Sequence, residues 1–155
     1  MIDGRGKIGS GTSMASADQL AGVPLFESLS EAELAELASW FDVKTVSPGV
    51  KLATEGAAGY SFYVVVEGSA AVTAEDEPVA TYGPGDFFGE MAILGDGRRS
   101  ATVTTTSQTT LLSMFGTEFR TLQQSQPEIA ARLETAMRQR REELLQRRSS
   151  TTESG

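Results

Sequence analysis

Two kinds of periodicity divide the chain: apolar residues recur at helical spacing between 17 and 41 and again after 115, whereas between 42 and 115 they alternate with polar ones. Residues Ala17–Leu29 read as a short helix broken before Pro24, followed by an apolar knuckle at Leu25-Phe26. Ser30 is placed to cap a second helix, and Glu33, three residues on, completes a capping box. Leu34, Leu37, Ala38 and Phe41 then share one face, which is expected to pack on a core.

The alternating region breaks into short β-prone segments: DVKTV, VKLAT, SFYVVVEG, SAAVTAE, PVATYG, SATVTT and TTLLSMF. Breakers separate them at Ser47-Pro48-Gly49, Gly56 to Gly59, Glu67-Gly68 and Gly83-Pro84-Gly85-Asp86. Inside this run FGEMAIL, residues 88–94, reads as one helical turn inserted between strands. The pattern predicts an α+β fold, an antiparallel β jelly-roll of about eight strands with N-terminal helices, this short inserted helix and C-terminal helices.

After Phe115 the helical period returns in GTEFRTLQQS and in a long segment from Pro127. Pro127 suits a first helical turn, Glu128 favours its positive end, and arginines crowd the negative end. Ala130, Leu133, Met137 and Leu144 form a partial seam interrupted by Arg140; it serves to cover the sandwich, to pair two copies of the chain, or both. Residues 1–16, rich in Gly and Ser, read as a flexible leader or expression remnant, 17–148 as one domain, and 149–155 as a disordered polar tail.

Composition narrows the chemistry. At 155 residues with 39% apolar content the chain is sized for a single core. It holds no cysteine and no histidine, which removes disulfides, thiolate nucleophiles, Ser-His-Asp triads and histidine-ligated metals. No catalytic residue and no metal site are assigned. The net charge of −8 opposes direct contact with a nucleic acid backbone. Half of the arginines fall between Arg138 and Arg148, so any anion elsewhere needs a locally built site. No apolar run approaches the roughly 20 residues of a membrane span, so no membrane contact by this chain is expected, and a reducing cytoplasm suits its lack of cysteine. Gly6-Lys7 hints at a phosphate loop, but Ile8 stands where Ser or Thr is required and no strand precedes it.

The informative stretch is Gly83 to Val103, GPGDFFGEMAILGDGRRSATV. It combines FGE at 88–90, an apolar turn, a Gly-Asp-Gly loop and RSATV at 99–103, and it resembles the phosphate-binding cassette of the cyclic-nucleotide-binding domain family. The likeness runs from about Val23 to Arg141, through VPLF at 23–26, EG at 55–56, FYVVVEG at 62–68 and S-x-P-E-I-A at 125–130. Within that family the pieces are most similar to the cytoplasmic sensor domains of bacterial cyclic-nucleotide-gated potassium channels.

A cyclic nucleotide presents an anionic phosphodiester, a ribose 2′-hydroxyl and a flat base. Backbone N–H groups opening a helical turn at 89–94 suit the anion, and the planar Arg99 guanidinium can bind two phosphate oxygens. The resemblance implies that Glu90 accepts the 2′-OH and Arg99 holds the phosphate, with the backbone of Gly89, Met91, Ala92 and Ala101 beside them. Ser100 matches a position that contacts phosphate and helps accommodate a syn guanine, so both cAMP and cGMP remain open as the regulatory ligand. Val72 and Val79 match base-pocket positions, although a strand valine is equally at home in a core. Arg140 matches a lid arginine that stacks on the base; the alternative is a solvated helix charge. Taken without their neighbours, Glu90 and Arg99 would read as an ordinary ion pair, and Asp96 and Arg98 as solvated loop charges.

The implied function is a cAMP or cGMP sensor, not an enzyme, that couples ligand binding to movement of its last helix and regulates an attached ion channel. Its place would be the cytoplasm, with homo-oligomers formed through the parent protein or the final helix. The alternative is the sensing half of a catabolite-activator-type transcription regulator lacking its DNA-binding part. Leu144-Leu145 stand where the catabolite activator protein reaches adenine through a Thr-Ser pair, and no helix-turn-helix follows them within these residues. A cupin-type sandwich enzyme is disfavoured by the missing histidines.

Overall fold

The computed structural model describes residues 12–53, 61–94 and 101–154. In chain order these form β1 (Thr12–Met14), α1 (Ala17–Ala21), a 3₁₀ turn (Pro24–Phe26), α2 (Glu31–Ala38), β2 (Asp42–Val46), β3 (Lys51–Ala53), β4 (Ser61–Glu67) and β5 (Ala70–Ala74). They continue with β6 (Glu77–Tyr82), β7 (Phe87–Phe88), α3 (Met91–Leu94), β8 (Thr102–Thr105), β9 (Thr109–Phe115), α4 (Gly116–Ser125) and α5 (Pro127–Ser154).

The strands build two antiparallel sheets, ordered β1-β2-β9-β4-β7 and β3-β8-β5-β6. This is the jelly roll that the alternating pattern predicts. Strand alternation sorts side chains to two faces of the five-stranded sheet. Phe62, Val64, Leu112 and Met114 enter a core shared with the helices, while Val65 and Leu111 enter the roll interior with Val72 and Val103.

The helices pack on the sheet's outer face. Ser30 and Glu33 close the reciprocal capping box, with Ser30 N–H donating to Glu33 Oε1 at 2.9 Å and Glu33 N–H to Ser30 Oγ at 3.2 Å. Leu34, Leu37, Ala38 and Phe41 are all buried, as their shared face predicts. On α5, Ile129, Ala130, Leu133 and Met137 enter the same core. The Ala130, Leu133 and Met137 part of the expected seam therefore covers the sandwich, while the Leu144 side chain lies outside the described residues.

Both ends carry more structure than their composition suggests. Thr12–Met14 pairs antiparallel with β2, and Ser16 caps α1 in a second capping box with Gln19. Thr12–Met14, inside the segment expected to be a leader, is therefore strand, because the edge of β2 offers ladder partners. At the other end α5 runs through Ser154, past the expected limit at Arg148. Extending an existing helix fixes one residue per hydrogen bond gained, so even a polar Ser/Thr run continues it.

Candidate ligand site

The site is organised by two adjacent phenylalanines that face opposite ways. Phe87 lies against Phe62 at 5.7 Å between ring centroids and belongs to the helix-facing core. Phe88 turns into the roll interior, where its ring stacks on Tyr82 at 5.3 Å and 14° and tilts against Tyr63 at 5.1 Å. A two-residue strand with period-two alternation makes this the only outcome: neighbouring side chains on β7 must serve different cores.

The approach to β7 is fixed by its backbone. Asp86 Oδ2 accepts the Gly83 N–H at 2.8 Å, and Val65 exchanges hydrogen bonds with Gly85 and Asp86 at 2.8 and 2.9 Å. Beyond Phe88 the chain turns sharply at Gly89, whose φ of +78° suits only a residue without Cβ strain. Glu90 follows, half-buried, and its carbonyl accepts the N–H groups of Ile93 at 2.9 Å and Leu94 at 2.8 Å to close α3. Those two donors are used within the turn, and Ile93 anchors it in the helix-facing core.

Among the residues singled out from sequence, the structure brings Val72 and Ala101 together in the roll interior. Val72 is buried beside Phe88 and Val103, and Ala101 packs on the same cluster. Gly89 and Glu90 leave that cluster directly, and the backbone of Met91 and Ala92 forms the first turn of α3. Val79 is not with them: it sits opposite a register shift, between the pairs Val72↔Ala80 and Thr73↔Pro78, and is 48% exposed. A bulge turns its side chain outward. Arg99 and Ser100 lie outside the described residues, as do Asp96 and Arg98.

Arg140 projects from α5 onto the 3₁₀ turn. Its Nη2 donates to Glu27 Oε1 at 3.3 Å and to the Pro24 carbonyl at 3.5 Å, and Nη1 lies 3.6 Å from Glu143. With Glu143 it lines a small cavity whose other walls are Pro24, Leu25 and Pro84 to Phe87. Elsewhere on this helix Arg132 donates to Glu33 at 2.7 Å, joining α5 to the start of α2. Glu33 is held below the usual carboxylate range, first by the Ser30 N–H and also by the Arg132 charge.

The sequence assigns no site role to Tyr63, Tyr82, Pro24 or Glu27. The alternation of FYVVV already places Tyr63 on the face opposite Phe62, a usable signal. Nothing local marks Glu27, whose partner is 113 positions away. Among the described residues no group of three or more acidic side chains could hold a metal ion, and no helix is long and apolar enough to cross a membrane.

The family model described as cyclic nucleotide-binding domain matches residues 43–126. The chain is 37% identical over 122 residues to a cyclic nucleotide-gated potassium channel of Rhizobium etli, covering 79% of this chain and 34% of the channel. It is 42% identical over 111 residues to a channel of the same description from Mesorhizobium japonicum, covering 72% and 31%. The chain thus spans about a third of the length of these relatives. Among solved structures, the N-terminal domain of a transcriptional regulator from Streptomyces coelicolor A3(2) aligns with a TM-score of 0.69 at 30% identity, covering 82% of this chain and 94% of that one. A structure described as Sp-2Cl-cAMPS bound to PKAR CBD2 shares the fold, with a TM-score of 0.71 at 22% identity and 84% of each chain covered.

Proposed function

The chain belongs to the cyclic nucleotide-binding domain family, and from that premise we propose that it is a non-catalytic sensor of cAMP or cGMP whose ligand enters the roll interior beside Phe88. The observation that carries this reading is that Val72, Phe88 and Ala101 meet in the roll interior and that Gly89 and Glu90 follow Phe88 directly along the chain. Glu90 accepts the ribose 2′-OH, Arg99 binds the phosphodiester, and N–H groups opening α3 supply further donors. Ser100, at a position that contacts phosphate and helps accommodate a syn guanine, keeps both cAMP and cGMP open as ligands. A charged partner and a helical turn in a partly dry pocket strengthen anion binding beyond what a surface pair achieves.

The Phe87-Phe88 step supports coupling. Phe88 shares the interior with the ligand-facing residues, whereas Phe87 and Ile93 share the outer core with Leu133 and Met137 of α5. A ligand that binds better when Phe88 and α3 are drawn inward therefore shifts the packing of α5, as differential affinity requires. In this reading Arg140 leaves Glu27 to cover the base, and the module acts in the cytoplasm as the regulator of an attached ion channel, assembled as a homo-oligomer through the parent protein or α5.

A second reading, the sensing half of a transcription regulator, is favoured by the match to 94% of the N-terminal domain of the Streptomyces coelicolor transcriptional regulator. The gene sequence on either side of this segment separates the two: membrane-spanning helices before it support the channel, a basic helix-turn-helix after it the regulator. Calorimetric titration with cAMP and cGMP tests the sensing function itself; binding of neither nucleotide refutes it.

A further inference from the structure

β6 and β7 are edge strands of different sheets, and they meet through side chains. Tyr82 ends β6, Phe88 ends β7, and their rings stack nearly parallel at 5.3 Å, while Tyr63 presses on Phe88 from β4. The contact closes the roll where the two sheets share no backbone ladder. We propose that Tyr82 is a positioning residue for ribose recognition: by clamping Phe88 it fixes the direction in which Gly89 and Glu90 leave β7. The inference rests on the proposed contact between Glu90 and the ribose.

The reason is mechanical. β7 is only two residues long, with ladder partners on β4 alone at Tyr63↔Phe88 and Val64↔Phe87. Immediately after it Gly89 adopts a φ of +78°, a position with wide conformational freedom. A short strand followed by a permissive hinge leaves Glu90 poorly aimed unless Phe88 is held. Tyr63 tilts 33° to the Phe88 ring, whereas Tyr82 supplies a flat face at 14°. Offset aromatic faces favour one ring orientation in a way that an aliphatic side chain does not. Phe88 is 4% exposed, so its ring has no solvent-side alternative.

The test is discrimination between cAMP and 2′-deoxy-cAMP, because that ratio reads the Glu90 contact and general loosening of the fold does not. Dissociation constants for both ligands are measured for the wild type, Tyr82→Phe, Tyr82→Leu and Glu90→Gln, with thermal unfolding as a check on folding. Loss of a hydrogen bond to a charged group weakens binding about tenfold or more, so the wild type and Tyr82→Phe should prefer cAMP by that factor. Tyr82→Leu should compress the preference to less than half of the wild-type ratio, approaching Glu90→Gln. Should Tyr82→Leu fail to fold, Tyr82→Met, which preserves apolar bulk without a flat face, carries the same expectation. A Tyr82→Leu or Tyr82→Met protein that keeps the full ratio, even with both affinities reduced, overturns the proposal. A wild type that binds both ligands equally removes the Glu90 contact and the proposal with it; a wild type that binds neither refutes the sensing function instead.

Discussion

The Arg140 guanidinium lies 3.3 Å from the Glu27 carboxylate and 3.5 Å from the Pro24 carbonyl, tying the final helix to the 3₁₀ turn at the start of the fold. An arginine held there must give up both contacts to reach a base in the roll interior. Under the proposed lid role of Arg140 this pair acts as a latch, and the Glu27 side chain is 73% exposed.

Releasing the latch should favour the ligand. Exposed ion pairs contribute little, so Glu27→Gln should tighten cAMP by only about twofold. Arg140→Ala should weaken it, mostly through faster dissociation, and in that background Glu27→Gln should have no effect. Stopped-flow dissociation of a fluorescent cyclic nucleotide from the four proteins checks this cycle. An effect of Glu27→Gln that survives the loss of Arg140 would rule out a latch.

Much of this arrangement is legible before any coordinates. The Ser30–Glu33 box and the buried face of Leu34, Leu37, Ala38 and Phe41 follow from local spacing and are found; the helical turn expected over 88–94 is found only at Met91–Leu94, because Phe88 pairs in β7 and Gly89 turns the chain with a positive φ. The box at Ser16 was equally readable as S-x-x-Q, but lay next to a Gly/Ser-rich run that masks it. What spacing does not disclose is long-range register. The bulge that turns Val79 outward exists only relative to β5, and the role of Glu27 only relative to a helix 113 positions on. The site is partly legible for the same reason: Gly83 to Val103 is contiguous in sequence, whereas Tyr63 joins Phe88 through the β4–β7 ladder and Tyr82 through ring stacking between sheets.

Glu33 predicts a pH dependence with a definite sign. Its lowered pKa means that the folded state favours the carboxylate, so its contribution is present above the ordinary value of 4.5 and is lost as pH falls through the folded-state value. Thermal unfolding of the wild type and Glu33→Gln should differ at neutral pH and converge in acid. A difference that grows on acidification would show the opposite sign and refute the assignment.

Gly68 offers a control outside the site. It has a φ of +95°, and a Cβ there would lie 2.5 Å from the Gln108 carbonyl oxygen and 2.7 Å from Thr109 Cα, both backbone atoms. Gly68→Ala should cost at least about 1–3 kcal/mol of stability from backbone strain alone. Chemical denaturation measures the loss, and the folded fraction should keep wild-type discrimination between cAMP and 2′-deoxy-cAMP. Unchanged stability would contradict the packing described at this turn.

The proposed sensing function rests most directly on the proposed role of Arg99. Calorimetric titration of the wild type and Arg99→Ala with cAMP and cGMP should show the wild type binding at least one of the two, and the variant losing about 2–5 kcal/mol of that binding, as expected when a charged partner of a bound phosphate is removed. Equal affinities in the two proteins would contradict the assignment of Arg99 to the phosphate, and heatless titrations of the wild type with no competition against a fluorescent cyclic nucleotide would contradict the sensor itself.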